Sequence, residues 1–320
     1  MAFIGQSGRR RWLKSASGWC VSALVPSLSA QAQTAATPGQ MVRYDLCVEA
    51  RKRSFLFYRP AGCHSGQPWP LLIALHPFLY PNRRFEKYAN LRQMSEIGRF
   101  LLAMPQGEGF GMYRSFNAGL RDDANDPNDF LFISAVVSQL QSSTLVDSTR
   151  IYAMGMSNGA MMASLLPQQL PGLVAGIVCV SGTPAAPVRA DASSTPVMIV
   201  HGTADPITPW QGPGRNTPRF IKFQDVDATL AQWRVVNKAD FDPEISIYDT
   251  TDDKTSIIRY DWNQPRSTAD LSLIRIEGGG HRWPSYVKKP FFSPFTGRQS
   301  TDIDMNAIAW EFLSRQKRLA

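Results

Sequence analysis

The chain has 320 residues, 43% of them hydrophobic and 19% charged, with a formal net charge of +8. That is enough apolar material for a sizeable core and too balanced a mixture for a disordered or fibrous chain. Half of the positive excess sits in residues 1–32, where Arg9, Arg10, Arg11 and Lys14 meet no acid. The remainder is spread thinly, with no basic run interleaved with aromatics, which excludes nucleic acid as an expected partner.

Residues 1–32 are predicted to be an export signal. Arg9-Arg10-Arg11-Trp12-Leu13-Lys14 has a twin-arginine pattern, Ser15 to Leu28 is weakly apolar, and Ala30-Gln31-Ala32 supplies a small-x-small cleavage signature. The bland alternative is a disordered basic tail. No stretch is long and apolar enough to span a bilayer, so the expectation is a secreted or periplasmic protein without a membrane span. Residues 33–320 show no internal repeat and no separating linker, and read as one domain. Nothing in them signals an oligomeric state.

Without Cys20 of the signal, the cysteines are Cys47, Cys63 and Cys179. An odd number permits at most one internal disulfide, and in an oxidising compartment Cys47–Cys63 is the expected pair. A turn at Arg51-Lys52-Arg53 would weaken that expectation, because it sets Cys47 opposite about Leu56. Cys179 lies in an apolar run and reads as a buried, inert thiol. No pair has metal-ligand spacing, and neither a metal nor another cofactor is expected.

Along the chain, strands are predicted at 54–60, 69–76, 99–104, 150–154, 173–181, 196–201, 255–262 and 271–276. Helices are predicted at 89–97, around Phe130, Ile133, Val137 and Leu140, at 160–166, 228–237, and around Met305 to Leu313. Alternation of this kind makes an α/β fold, with a mostly parallel sheet and helices on both faces. Ligands of such sheets bind outside the carboxyl ends of the strands, so residues just after strands are the functional candidates.

Gly155-Met156-Ser157-Asn158-Gly159 stands between a strand and a helix, the context in which G-x-S-x-G forms a nucleophile elbow. Ser157 is the candidate nucleophile, and it needs a base, nearly always histidine. Of His64, His76, His201 and His281, only His281 follows the last core strand, in Gly278-Gly279-Gly280-His281-Arg282-Trp283-Pro284. The other three histidines read as structural. Asp205, just past the strand ending at His201, is the candidate acid, with Asp249 as the alternative. An oxyanion hole needs two backbone N–H groups. Asn158 supplies one; Pro77 has none, so Phe78 after the Leu75-His76 strand supplies the other.

Four stretches resemble the secreted esterase family that groups polyhydroxybutyrate depolymerases with feruloyl and acetylxylan esterases. They are the Leu75-His76 loop, the Ser157 elbow through Met162, His201-Gly202-Thr203-Ala204-Asp205-Pro206-Ile207, and the His281 loop; Ser300-Thr301-Asp302-Ile303-Asp304 also fits. The resemblance implies an α/β-hydrolase fold, a Ser157–Asp205–His281 triad and an acyl-enzyme mechanism without cofactor. It departs from the family at Pro77 and Ser285, where glycine is usual, and carries an insert, Tyr286 to Arg298. The expected partner is an ester, a hydroxyalkanoate oligomer or a plant cell-wall ester. Rivals are a peptidase on the same fold and, from another class, a non-catalytic secreted binding protein. Tyr80, Trp210 and Trp283 are expected to line an apolar substrate cleft, with Phe78 beside them and Phe291, Phe292 and Phe295 in the insert.

Overall fold

The computed structural model describes residues 37–63, 66–121, 126–144, 146–214, 217, 221–263, 267–290 and 294–318. The expected export signal, His64, Phe291 and Phe292 lie outside them. Ala35–Ala320 form one compact unit.

The chain enters its sheet by a hairpin. Met41–Val48 (β1) and Arg51–Tyr58 (β2) pair antiparallel about Glu49 and Ala50, both at positive φ. The turn comes earlier than Arg51–Arg53 and sets Cys47 opposite Lys52. The expected disulfide is not formed: Cys47 is exposed, Cys63 is buried, and both are free. Cys179 is free and buried, and burial pushes its thiol up to about 12.

Trp69–Leu75 (β3) is buried at every position. Leu71, Ile73 and Leu75 join one core while Leu72 and Ala74 join the other, the two-residue period that a strand imposes. Asn82–Ala89 (α1) and Leu91–Gly98 (α2) follow, parted at Asn90, which takes a left-handed φ of 52°. The predicted helix over 89–97 corresponds to α2; α1 was not predicted, and Asn90, which tolerates the left-handed conformation, separates the two.

Then come Leu101–Pro105 (β4), the small hairpin Glu108–Phe110 (β5) and Tyr113–Ser115 (β6), and Asp129–Ser143 (α3). The side chain of Asn128 caps α3 by accepting the Leu131 N–H. Val146–Met156 (β7), Asn158–Gln169 (α4), Gly176–Val180 (β8), Val197–Gly202 (β9) and Val226–Val236 (α5) continue the alternation. Glu244–Tyr248 (β10), Ser256–Trp262 (β11), Leu271–Glu277 (β12) and Met305–Ser314 (α6) complete it.

The ten-stranded sheet runs β1-β2-β4-β3-β7-β8-β9-β12-β11-β10. From β4 to β12 every neighbouring pair is parallel, and the outer pairs on both sides are antiparallel. Residues of α3, α4 and α5 bury against one face, and those of α1, α2 and α6 against the other. Each fully buried ring or branched chain, such as Phe57, Phe132 or Phe312, contributes on the order of 1.5–3 kcal/mol. The chain runs from β3 outward to β4 and returns past it to β7, so β3 and β7 flank a topological switch point. Their carboxyl ends open a crevice there, and residues 76–78 and 157–158 follow those ends. Among the described residues no helix is long and apolar enough to cross a membrane.

Candidate active site

Ser157 is the hinge between β7 and α4, with φ 54° and ψ −120°. A non-glycine residue in such a conformation costs about 1–3 kcal/mol, which surrounding contacts must offset. Its N–H donates to Val180 O at 2.8 Å and its carbonyl accepts the Met161 N–H at 2.9 Å. The flanking glycines are required by space. A Cβ on Gly155 would lie 2.2 Å from Gly159 O, and one on Gly159 would lie 2.0 Å from Leu75 O. The first turn of α4 is thereby pressed against the end of β3.

Asp205 and His281 are brought together by the ends of β9 and β12. Gly202 and Gly279 let those ends touch, since a Cβ on Gly202 would meet Gly279 O at 2.3 Å. Asp205 Oδ2 lies 2.8 Å from His281 Nδ1. Its Oδ1 accepts the N–H groups of Ile207 and Thr208, both at 2.8 Å, and the Thr208 hydroxyl lies 3.0 Å from Oδ2. Burial pushes the Asp205 carboxyl up, but the charge and hydrogen bond of His281 outweigh it, so the group titrates below the ordinary carboxylate range. Asp205 is therefore ionised at neutral pH and accepts Nδ1–H, which leaves His281 Nε2 as the free, basic nitrogen. Asp249 instead lines a polar cavity with Thr250, Asp252, Lys254 and Glu277.

The loop carrying His281 is clamped to the far end of the insert. Gly280 N–H donates to Arg298 O at 2.8 Å and His281 N–H to Thr296 O at 2.6 Å. The Gln299 side chain gathers the Lys289 N–H and the carbonyls of Ser285 and Val287. Asp302, from the fifth stretch of resemblance, holds the Thr250 and Thr251 N–H groups.

Phe78 and Asn158 are the expected oxyanion donors. The Tyr80 N–H donates to Pro77 O across a tight turn in which Leu79 takes a positive φ of 66°. Phe78 is the first central residue of that turn, a position whose N–H the turn does not use. Asn158 is the first residue of α4, where backbone N–H groups point outward at the positive end of the helix. Its side chain is committed elsewhere: Oδ1 accepts the Phe116 N–H at 2.7 Å and Nδ2 donates to Phe116 O at 3.0 Å. That grip on the residue after β6 ties the small hairpin to the elbow, and neither motif nor spacing announced it.

His76 and His201, expected to be structural, are both buried and hydrogen-bonded. His76 is fully buried; Nδ1 donates to Pro77 O at 2.9 Å and Nε2 accepts the Gly107 N–H at 2.9 Å. Burial, aided by the Arg114 charge and opposed by the Pro77 hydrogen bond, drives its pKa down to about 4. His201 donates from Nε2 to Thr208 O at 2.7 Å, and burial holds it below the ordinary imidazole range despite Asp205 nearby.

The rings expected to line a cleft are placed otherwise. Trp210 is 4% exposed, donates to Asp227 Oδ2 at 2.8 Å, and meets His201 edge-on. Trp283 is 1% exposed and packs edge-on against Phe85, while Tyr80 is buried between Tyr88 and the Arg84 guanidinium. Rings so enclosed have no face to offer a substrate; they fill core beneath the loops. Position after a strand does not say which way a side chain points, and that is why the expectation failed. Exposed rings include Phe78, Phe110, Tyr113 and Tyr286, with Phe78 and Tyr113 in contact at 6.4 Å between centroids. Phe295 of the insert and Ile207 beside Asp205 are exposed as well.

Known proteins give the chain its family and fold likeness. The phospholipase/carboxylesterase family matches residues 110–235, which include the elbow and Asp205. The protein named "Putative esterase NocK", of Nocardia uniformis subsp. tsuyamanensis, is 27% identical over 276 residues, 81% of this chain and 79% of that protein. Feruloyl esterase B of Piromyces equi is 22% identical over 69% of this chain, which spans only 41% of that protein. Among solved structures, the acetyl xylan esterase of Aspergillus awamori superposes with a TM-score of 0.54 at 15% identity, over 75% of this chain and 94% of that one. At that identity the superposition speaks for the fold, which is the α/β-hydrolase fold.

Proposed function

We infer that the chain, a carboxylic ester hydrolase of the α/β-hydrolase type, works through Ser157 as nucleophile, His281 as general base and Asp205 as the group that orients the base. The observation that carries this reading is the buried 2.8 Å contact between Asp205 Oδ2 and His281 Nδ1, at the same sheet edge as the strained Ser157. In the first half-reaction His281 Nε2 takes the hydroxyl proton as Ser157 Oγ bonds to the ester carbon. The oxyanion that forms is met by the N–H groups of Phe78 and Asn158. The imidazolium then gives its proton to the departing alcohol, and the C–O bond to it breaks. Water, deprotonated by His281, releases the acid from Ser157 in the second half. Asp205 stays ionised throughout and stabilises the imidazolium.

The proposed substrates are hydroxyalkanoate-like esters. Support comes from the exposed apolar side chains next to the site: Phe78 on the oxyanion loop, Tyr113 on the hairpin that Asn158 holds, and Ile207 beside Asp205. An acetyl group would leave them uncovered, forfeiting about 0.8 kcal/mol per methylene not buried. A feruloyl or acetylxylan ester is the second reading, favoured by the feruloyl esterase relative. Action outside the cytoplasm is proposed from the twin-arginine pattern and the Ala30-Gln31-Ala32 signature.

The test is direct. Ser157→Ala and His281→Ala are each expected to lower kcat by about 10³-fold or more while the fold persists, and Ser157→Ala to stop labelling by a fluorophosphonate. More than a tenth of the activity surviving in either variant would refute the assignment. For the substrate, kcat/KM should be higher on hydroxybutyrate oligomers than on the matching acetate, and Phe78→Ala should narrow the gap.

A further inference from the structure

Thr208 touches every part of the acid–base machinery. Its N–H donates to Asp205 Oδ1 at 2.8 Å, and its hydroxyl lies 3.0 Å from Asp205 Oδ2 and 3.2 Å from His281 Nδ1. The same hydroxyl lies 3.1 Å from Ser181 O. Its own carbonyl is held by His201 Nε2 at 2.7 Å. The residue is buried, so water does not compete for these contacts.

We propose that Thr208 is a positioning residue for the Asp205–His281 pair, acting through its hydroxyl. A threonine hydroxyl has one hydrogen and two lone pairs. It can accept a share of the His281 Nδ1–H while it donates to Asp205 Oδ2 or to Ser181 O. Both acceptors are within reach, so the hydroxyl stays satisfied whichever it serves. Ser181 follows Val180, whose carbonyl holds the Ser157 N–H. Thr208 therefore fastens the base and the acid to the peptide next to the one that anchors the nucleophile. His201 completes the support. A carbonyl cannot donate, so His201 carries its proton on Nε2, and its buried Nδ1 has no hydrogen-bond partner among the described residues. The ring thus props the Thr208 backbone, with Nε2 3.6 Å from Asp205 Oδ2.

This inference rests on the Ser157–Asp205–His281 reading, and the experiment separates the two. The wild type, Thr208→Val, Thr208→Ser, Ser157→Ala and His281→Ala are compared on a p-nitrophenyl ester, with thermal unfolding as the check on folding. Thr208→Val keeps the branched shape and removes only the hydroxyl. It should lower kcat by about 10- to 100-fold, the scale of a hydrogen bond to a charged group, with little change in KM. Thr208→Ser should recover kcat to within about threefold. If Thr208→Val does not fold, Thr208→Ala replaces it under the same criterion. A valine variant within twofold of wild type, or a serine variant as impaired as the valine, overturns the role of the hydroxyl. Activity surviving in Ser157→Ala or His281→Ala would instead bring down the triad beneath it.

Discussion

At the scale of single residues, His76 has consequences for stability. Buried and held to about 4, its imidazole stays neutral in the folded protein over a range in which the unfolded chain, near 6.5, takes up a proton. The unfolded state then binds more protons, so stability falls as pH drops from about 6.5 to about 4 and is insensitive to this group above and below. The full effect approaches roughly 3 kcal/mol, and the lowered pKa of His201 adds in the same sense. Asp205 acts lower down: its contribution is present above the unfolded value near 4 and lost as pH falls further. Urea midpoints measured from pH 7.5 to 4.5 should decline, and His76→Gln should flatten the slope. What was legible here was position. His281 and Asp205 could be found because they follow strands that read as apolar runs. The inward turn of Trp210 and Trp283 could not, because the direction of a side chain depends on neighbours brought from elsewhere in the chain.

At the scale of elements, the elbow is built from backbone contacts that exclude a side chain. A methyl added at Gly159 would stand only 2.0 Å from Leu75 O, so Gly159→Ala must push α4 away from β3. We expect a loss on the order of 3 kcal/mol or more, read as a fall in urea midpoint, together with loss of activity. Gly62→Ala is the control: among the described residues nothing lies within 4 Å of a Cβ built there, and the change should stay within about 0.5 kcal/mol. Asn158→Ala tests a different joint. It strips both hydrogen bonds from the buried Phe116 backbone and should cost about 1–3 kcal/mol while loosening the hairpin that carries Tyr113. The central strands could be read from sequence because burial on both faces leaves an unbroken apolar run, as in Leu71 to Leu75. β10 escaped because it lies at the sheet's rim, with Ile245 and Ile247 exposed and no run to see. β5 and β6 are too short for any period to show.

At the scale of the whole molecule, the order of strands and motifs was enough to place Ser157, Asp205 and His281, the proposed nucleophile, acid and base, at one edge of one sheet. The order β4-β3-β7 then puts the proposed oxyanion loop next to the elbow, a neighbourhood that follows from sheet topology rather than from any local signal. Export is a prediction at this scale. The mature N-terminus is expected at or near Gln33, and Arg9→Lys combined with Arg10→Lys should leave precursor in the cytoplasm. Intact-mass measurement of the secreted protein decides it: residues 1–32 still attached would sink the proposal.

The clamp between Gly280–His281 and Thr296–Arg298 makes the intervening segment a cassette. Both ends are secured at its base, by Gly280 to Arg298 and His281 to Thr296, and Gln299 ties the first turn of the excursion back to that base. Those hydrogen bonds hold the base without using the side chains of Tyr286, Val287 and Lys288, which are exposed. Selection can rewrite those three side chains while the proposed base stays in place, and so can an engineer seeking a different ester.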